Sequence, residues 1–390
     1  LDDGWFGRRD DSRSSLGDWY PYRKKLPEGV AGIARRIEEM GLAFGLWIEP
    51  EMVNKDSDLY RAHPDWMLSA PGRSACHGRN QFVLDFSREE VVEYIYQMLR
   101  HVLDEAPVSY IKWDMNRSMS EVFSKGRAAA FQGEVYSRAG RPEEQGMVFH
   151  RYILGVYSLY EKLIRRYPHI LLESCASGGA RFDPGMLYYA PQCWTSDDTD
   201  AVERLKIQYG TSMVYPLSSM GAHVSAVPNH QVLRTTPIET RANVACFGTF
   251  GYELDLNQLT EEELEKVRRQ IAFMKENRDL IQFGTFYRLI SPFEGRGNVT
   301  AWMVVSGDRK RALVGYYRIL EPVNEGYRKI RLAGLEEGIR YHVSIQGGGY
   351  HGGFKEIDVY GDELMNFGLI VSDSSSGDNK EKYDGTNGDY

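Results

Sequence analysis

Lys112 and Asp114 stand two residues apart at the end of the run Val108-Ser109-Tyr110-Ile111-Lys112-Trp113-Asp114. If that run is a β-strand, their side chains share one face and Trp113 points to the other. A carboxylate beside an ammonium stays ionised at neutral pH, the state that a nucleophile or an oxocarbenium stabiliser needs. The same spacing also suits a purely structural ion pair. A second acidic segment, Trp194-Thr195-Ser196-Asp197-Asp198-Thr199-Asp200, crowds three carboxylates into four positions. Like charges this close cannot all ionise cheaply, which leaves a protonated acid able to donate. Asp200 has another use, because Asp200-Ala201-Val202-Glu203 reads as an N-cap and its capping-box partner for a helix over Ala201 to Tyr209. Asp197 and Asp198 are left for chemistry. Two separated carboxylates, one ionised and one protonated, are the equipment of a glycosidase, and the same oxygens also suit a divalent metal.

Further candidates are less specific. The loop Glu173-Ser174-Cys175-Ala176-Ser177-Gly178-Gly179 follows an apolar run and lets backbone and small side chains approach a ligand closely. No particular histidine is placed near Cys175 by the sequence, so a packed or ligand-touching cysteine is favoured over a nucleophilic thiol. His223 and His230 are expected in a loop after a seventh strand, without metal-type spacing, and are read as structural.

These groups sit at the ends of short apolar runs. Strands are expected at Ala43–Glu49, Val108–Asp114, His169–Ser174, Cys193–Ser196, Ser212–Pro216 and Gly248–Tyr252, alternating with amphipathic helices. One helix carries Val30, Ile33, Ile37 and Met40, and the next Val91, Ile95, Met98 and Val102. Ser87-Arg88-Glu89-Glu90 and Thr260-Glu261-Glu262-Glu263 both match the capping box. The pattern implies an α/β fold, a (β/α)8 TIM barrel that presents its strand ends at one open face and is incomplete at its N-terminus, since Leu1-Asp2-Asp3-Gly4 reads as a strand already ending. No GxGxxG or P-loop supports a doubly wound sheet instead. Beyond residue 282 the texture turns to β-branched and aromatic runs, read as an antiparallel β-sandwich domain over 283–371, with a disordered tail over 372–390. The domain expectation is thus 1–282, 283–371 and 372–390.

With 390 residues, 42% of them hydrophobic, the chain can bury a large core, and collagen-like or disordered readings fail. A net charge of −8 without a polybasic block argues against nucleic acid or an anionic membrane as partner and favours a neutral or cationic small substrate. No apolar run reaches transmembrane length. The four cysteines form no CxxC pair, so neither a disulfide framework nor a zinc site is indicated and a reducing cytoplasm is the expected compartment.

Taken together, Leu1-Asp2-Asp3-Gly4-Trp5-Phe6-Gly7, Gly45-Leu46-Trp47-Ile48-Glu49-Pro50-Glu51-Met52, Lys112-Trp113-Asp114-Met115-Asn116-Arg117 and Trp194-Thr195-Ser196-Asp197-Asp198-Thr199-Asp200-Ala201 resemble the motifs of glycoside hydrolase family 36 α-galactosidases. The likeness spans about residues 1 to 370. It implies retaining hydrolysis of terminal α-1,6-galactosides such as melibiose and raffinose, without a metal or other cofactor. Asp114 matches the family's nucleophile and Asp197 its acid/base, with Asp198 as the competing assignment. Galactose-contacting positions of the family fall on Asp2, Asp3, Trp47, Arg79, Lys112, Asn116, Cys175, Ser177, Gly178 and Trp194, with Asp198 alongside. The resemblance also implies a homotetramer. Galactosyl transfer, as in related plant proteins, is the nearest alternative chemistry, and a galactoside-binding protein without catalysis the alternative class.

Overall fold

The computed structural model describes residues 1–129, 142–320, 328–345 and 356–371. The expected disordered tail, 372–390, lies outside the described residues. Two compact units are present, Leu1–Trp194 and Thr195–Tyr390.

In the first unit, β1 (Gly45–Ile48), β2 (Tyr110–Trp113), β3 (Leu171–Ser174) and β4 (Gln192–Trp194) pair in parallel in that order. They alternate with α1 (Gly29–Glu39), α2 (Glu89–Glu105) and α3 (Val148–Arg166), as βα units require. Val91, Ile95, Leu99 and Val102 of α2 recur at helical spacing and are all buried. In α3, Gly155 passes so close to the turn before α2 that an added Cβ would lie 2.0 Å from the Phe86 carbonyl oxygen, so only glycine fits. Leu1 bonds along β1 as the end of a strand would: its amine donates to the Gly45 oxygen at 2.8 Å, and Trp47 N donates to the Leu1 oxygen at 2.9 Å.

One expected cap is absent. The residue preceding α2 is Arg88, with no side-chain cap bond, and Ser87 Oγ donates instead to Asp85 Oδ1 at 2.5 Å. Asp85 is fully buried and takes a second hydroxyl from Ser124. A buried carboxylate has no water to turn to, whereas the exposed first turn of a helix does, so the hydroxyl goes to the carboxylate.

In the second unit, α4 (Ala201–Ser212), β5 (Met220–Ser225), α5 (Ile238–Ala245), β6 (Thr249–Glu253) and α6 (Glu261–Phe283) continue the β/α alternation, with β5 and β6 parallel. The strand expected at Ser212–Pro216 is not formed. Ser212 closes α4, Met213 and Val214 lie 62% and 73% exposed, and the strand is Met220–Ser225, whose Met220, Ala222 and Val224 are inaccessible. Small residues are needed there because the Gly248 backbone approaches closely; a Cβ on Gly248 would meet that of Ala222 at 2.8 Å. His223 therefore belongs to a strand and not to a loop, and its Nδ1 meets Glu253 Oε2 at 3.3 Å. The Thr260 capping box is present, the hydroxyl accepting from Glu263 N and the Glu263 carboxylate from Thr260 N.

After α6, the antiparallel strands β7 (Thr285–Ile290), β8 (Val299–Val305) and β9 (Ala312–Arg318) form a sheet with β8 in the centre. One face of β8 (Ala301, Met303, Val305) shares a core with Ile330 and Tyr341 of the two small ribbons that follow, 329–330 with 369–370 and 340–344 with 356–360, and with Leu332 and Leu364 beside them. The other face carries Trp302 against Phe247, Phe286 and Tyr317. With β8 buried on both faces, its sequence is a continuous apolar run rather than an alternation. The chain is thus a β/α half-barrel of parallel strands followed by antiparallel sheets.

Candidate active site

Asp114 leaves the end of β2 with its backbone N bonded to the Ile48 oxygen at 2.8 Å, which anchors it to the end of β1. Its side chain, 7% exposed, is held by three donors. Met115 N donates to Oδ1 at 2.8 Å; Asn116 Nδ2 at 2.6 Å and Trp47 Nε1 at 3.3 Å donate to Oδ2. Such donors fix the carboxylate plane. Lys112 makes no ion pair with Asp114. Its ammonium lies 5.1 Å from the Trp194 ring centroid, a cation–π contact at the mouth of β4. The structural ion-pair reading of this spacing is therefore set aside.

The loop after β3 is drawn to the same place. Ala176 N donates to the Gly178 oxygen at 2.8 Å, with Ser177 at φ 48° and Gly178 at φ 86°, a turn that turns Ser177 Oγ toward Asn116 Oδ1 at 3.1 Å. A side chain at position 178 would be strained in that left-handed conformation. Cys175 is buried beside Asp114. Burial first, then the Asp114 charge, push its thiol well above the ordinary range. A thiol so held is protonated, which argues against Cys175 as a nucleophile.

The first loop contributes Asp2 and Asp3, both exposed. Asp3 is clamped by Arg9, whose Nε donates to Oδ1 at 2.9 Å and whose Nη2 donates to Oδ2 at 2.9 Å. Arg9 is itself buried, and its Nη1 reaches Asn54 Oδ1 at 3.1 Å. Arg79, exposed with φ 50°, sits in the turn closed by the Gly78–Gln81 bridge. Asp2, Asp3, Trp47, Arg79, Lys112, Asp114, Asn116, Cys175, Ser177, Gly178 and Trp194 thus all belong to the first unit.

Asp197 and Asp198 open the second. Asp198 N donates to Ser196 Oγ at 3.0 Å, and Asp198 Oδ1 accepts from Asp200 N at 3.1 Å. Asp200 Oδ1 caps α4, accepting from Val202 N and Glu203 N at 3.0 Å each, and binds Arg234. The reciprocal half of that capping box is replaced: Asp198, not Glu203, accepts from the Asp200 amide. Asp198 also faces Arg204, whose pKa burial lowers to about 10 while the Asp198 charge opposes the shift. Among the described residues no group of three or more His, Cys, Asp or Glu could hold a metal ion.

The sequence reading assigned no role to Glu49, Glu51, Gln81 or Arg181. Glu51, fully buried, accepts from Trp113 Nε1 at 2.8 Å, from Tyr152 and from Arg181 Nη1, which reaches both carboxylate oxygens at 2.8 and 2.9 Å. Glu49, also fully buried, accepts from Asn116 N at 2.5 Å and Gln81 Nε2 at 2.9 Å. Both lie inside the motif that contains Trp47, and two acids within three residues of a buried strand end were the available signal.

Residues 1–284 match the melibiase family model, and 299–390 match the glycosyl hydrolase family 36 C-terminal domain. The α-galactosidase AgaA of Geobacillus stearothermophilus is 54% identical over 376 residues, covering 96% of this chain and 48% of the relative. The α-galactosidase Mel36A of Lactobacillus acidophilus is 46% identical over 370 residues, covering 95% and 47%. Among solved structures, that of a doubly substituted AgaA variant in complex with raffinose aligns with a TM-score of 0.87 at 54% identity over 96% of this chain and 49% of that one. The α-galactosidase from Lactobacillus brevis aligns at 0.88 and 48% identity, covering 97% and 48%. The chain spans about half the length of the curated relatives it matches. With nearly all of it aligned at such identity and fold, the chain belongs to glycoside hydrolase family 36, the melibiase family.

Proposed function

We propose that this chain carries the catalytic machinery of an α-galactosidase that removes terminal α-1,6-linked galactose from oligosaccharides such as raffinose and melibiose with retention. The observation that supports this most is the Asp114 carboxylate, at a strand end, buried and held by Trp47, Met115 and Asn116 in one fixed plane. In the first step Asp114 Oδ attacks the anomeric carbon while Asp197 gives its proton to the departing glycosidic oxygen. In the second, Asp197 takes a proton from water, the hydroxide attacks the anomeric carbon, and Asp114 leaves as carboxylate. Asp2 and Asp3 accept from galactose hydroxyls, Lys112 and Arg79 donate, Cys175, Ser177 and Gly178 line the ring's edge, and Trp47 with Trp194 provides flat apolar walls. The reading is supported by the relative crystallised with raffinose and by a second complex of that enzyme with stachyose. It takes 1–282 as the barrel domain and 283–371 as a β-domain, with assembly as a cytoplasmic homotetramer.

Mechanism-based trapping tests it. A fluorinated α-galactosyl fluoride should leave a galactosyl adduct that peptide mass spectrometry maps to Asp114, and NMR should show α-galactose as the first product. A β-anomer as first product would overturn the retaining mechanism.

A further inference from the structure

Glu49 and Glu51 are equally inaccessible, one residue apart from each other across Pro50, yet they are served differently. Glu51 receives a buried guanidinium, Arg181, at 2.8 Å. Glu49 receives only uncharged donors, the Asn116 amide and the Gln81 side chain, and no cation stands within ion-pair distance of it among the described residues. Two charged groups face it: the Asp114 carboxylate at the end of β2 and, more weakly, the Arg79 guanidinium of the 78–81 turn. The bonds form a relay. Gln81 holds Glu49, Glu49 holds the Asn116 backbone, and the Asn116 side chain holds Asp114.

We propose that Glu49 is a positioning residue for Asp114, acting as a neutral carboxylic acid that fixes Asn116 without setting a second negative charge beside the nucleophile. The inference rests on the reading of Asp114 given above. Two carboxylates in one dry environment cannot both ionise cheaply, and Glu49, the more deeply buried and held by two neutral donors against three on Asp114, is the one that keeps its proton. Burial, followed by the Asp114 charge, pushes the Glu49 carboxyl up to about 8. The proton has a receiver close by, since Gln81 Oε1 is buried without a partner and a half-turn of that amide exchanges it with Nε2.

The test compares Glu49→Gln and Glu49→Ala using an aryl α-galactoside whose leaving group needs no protonation, so that the acid/base does not mask the titration. For the unaltered protein kcat/KM should fall as pH rises through about 8. Glu49→Gln, which mimics the neutral acid, should stay within about threefold of it at neutral pH and lose that alkaline limb. Glu49→Ala should lose about a hundredfold in kcat with KM changed less than about threefold. A Glu49→Gln variant that keeps the alkaline limb, or that falls as far as Glu49→Ala, would overturn the proposal. If the unaltered protein releases no galactose at all, the functional reading fails, and Glu49 is then read by stability alone. A folded-state pKa above the unfolded one gives stability that is complete below about 4.5 and is lost as pH rises through about 8. The urea midpoint of Glu49→Gln should therefore gain steadily on the unaltered protein between those values, and parallel pH dependences would refute a neutral Glu49.

Discussion

Asp114 and Asp198 are aspartates that follow β2 and β4 in acidic, tryptophan-bearing motifs, yet the two segments use their carboxylates differently. Around Asp114 distant elements take part: Trp47 of β1 donates directly, and the adjacent donor Asn116 is itself fixed by Ser177 from the loop after β3 and by Glu49 from the loop after β1. Around Asp198 and Asp200 the backbone bonds serve the local chain, Asp198 accepting from the Asp200 amide and Asp200 from the first turn of α4, with Arg234 bound to Asp200 besides. A carboxylate held by distant elements is oriented for something outside itself, whereas one consumed by neighbouring amides sets the path of its own backbone. That difference supports the role proposed for Asp114, while Asp200 caps α4.

The comparison breaks first at Asp114. Asp114→Ala should lower kcat about ten-thousandfold or more on every galactoside, and external azide should restore turnover with an inverted galactosyl azide. Near-normal hydrolysis by that variant would remove the nucleophile from this position. Next, Asp197→Ala should cost about a hundred- to ten-thousandfold on raffinose and far less on glycosylation by an aryl galactoside, with azide giving a product of retained configuration. Should Asp198→Ala show this signature instead, the acid/base has been misassigned and the local role drawn for Asp198 is wrong.

Effects on stability should be smaller. Arg181→Ala leaves the Glu51 charge buried and alone, which should cost about 3–5 kcal/mol in urea unfolding. A shift below about 1 kcal/mol would mean that Trp113 and Tyr152 suffice to hold Glu51. Asp198→Ala should lose about 1–3 kcal/mol, because the Asp200 amide loses its acceptor, while raffinose hydrolysis falls less than about tenfold. Last, Asp200→Ala should cost about 0.5–2 kcal/mol as an N-cap. Its removal sharpens the contrast only if activity survives, which kinetics at matched folded fraction would decide.

The sequence alone determined the parallel strands at Gly45–Ile48, Tyr110–Trp113, Leu171–Ser174, Gln192–Trp194 and Thr249–Glu253 to within a few residues, and with them the placement of Asp114 at a strand end. Strongly apolar runs bounded by polar residues have few other uses, and the helical caps at Asp200 and Thr260 act over three residues, so both are legible locally. The same rules failed at Ser212–Pro216 and at Ser87. Burial chose the Gly- and Ala-containing stretch Met220–Ser225 over a more apolar run left on the surface, and a buried Asp85 took the hydroxyl that the helix could do without. Thr285–Ile290 and Glu356–Tyr360, strands with exposed or half-exposed side chains, gave no clear alternation to read. Only the tertiary structure decided that Lys112 pairs with the Trp194 ring instead of Asp114, that Glu51 owns an arginine from 130 residues away, and that Glu49 has none. Those outcomes depend on which distant group arrives within about 3 Å in a water-free setting, and spacing along the chain carries no information about that.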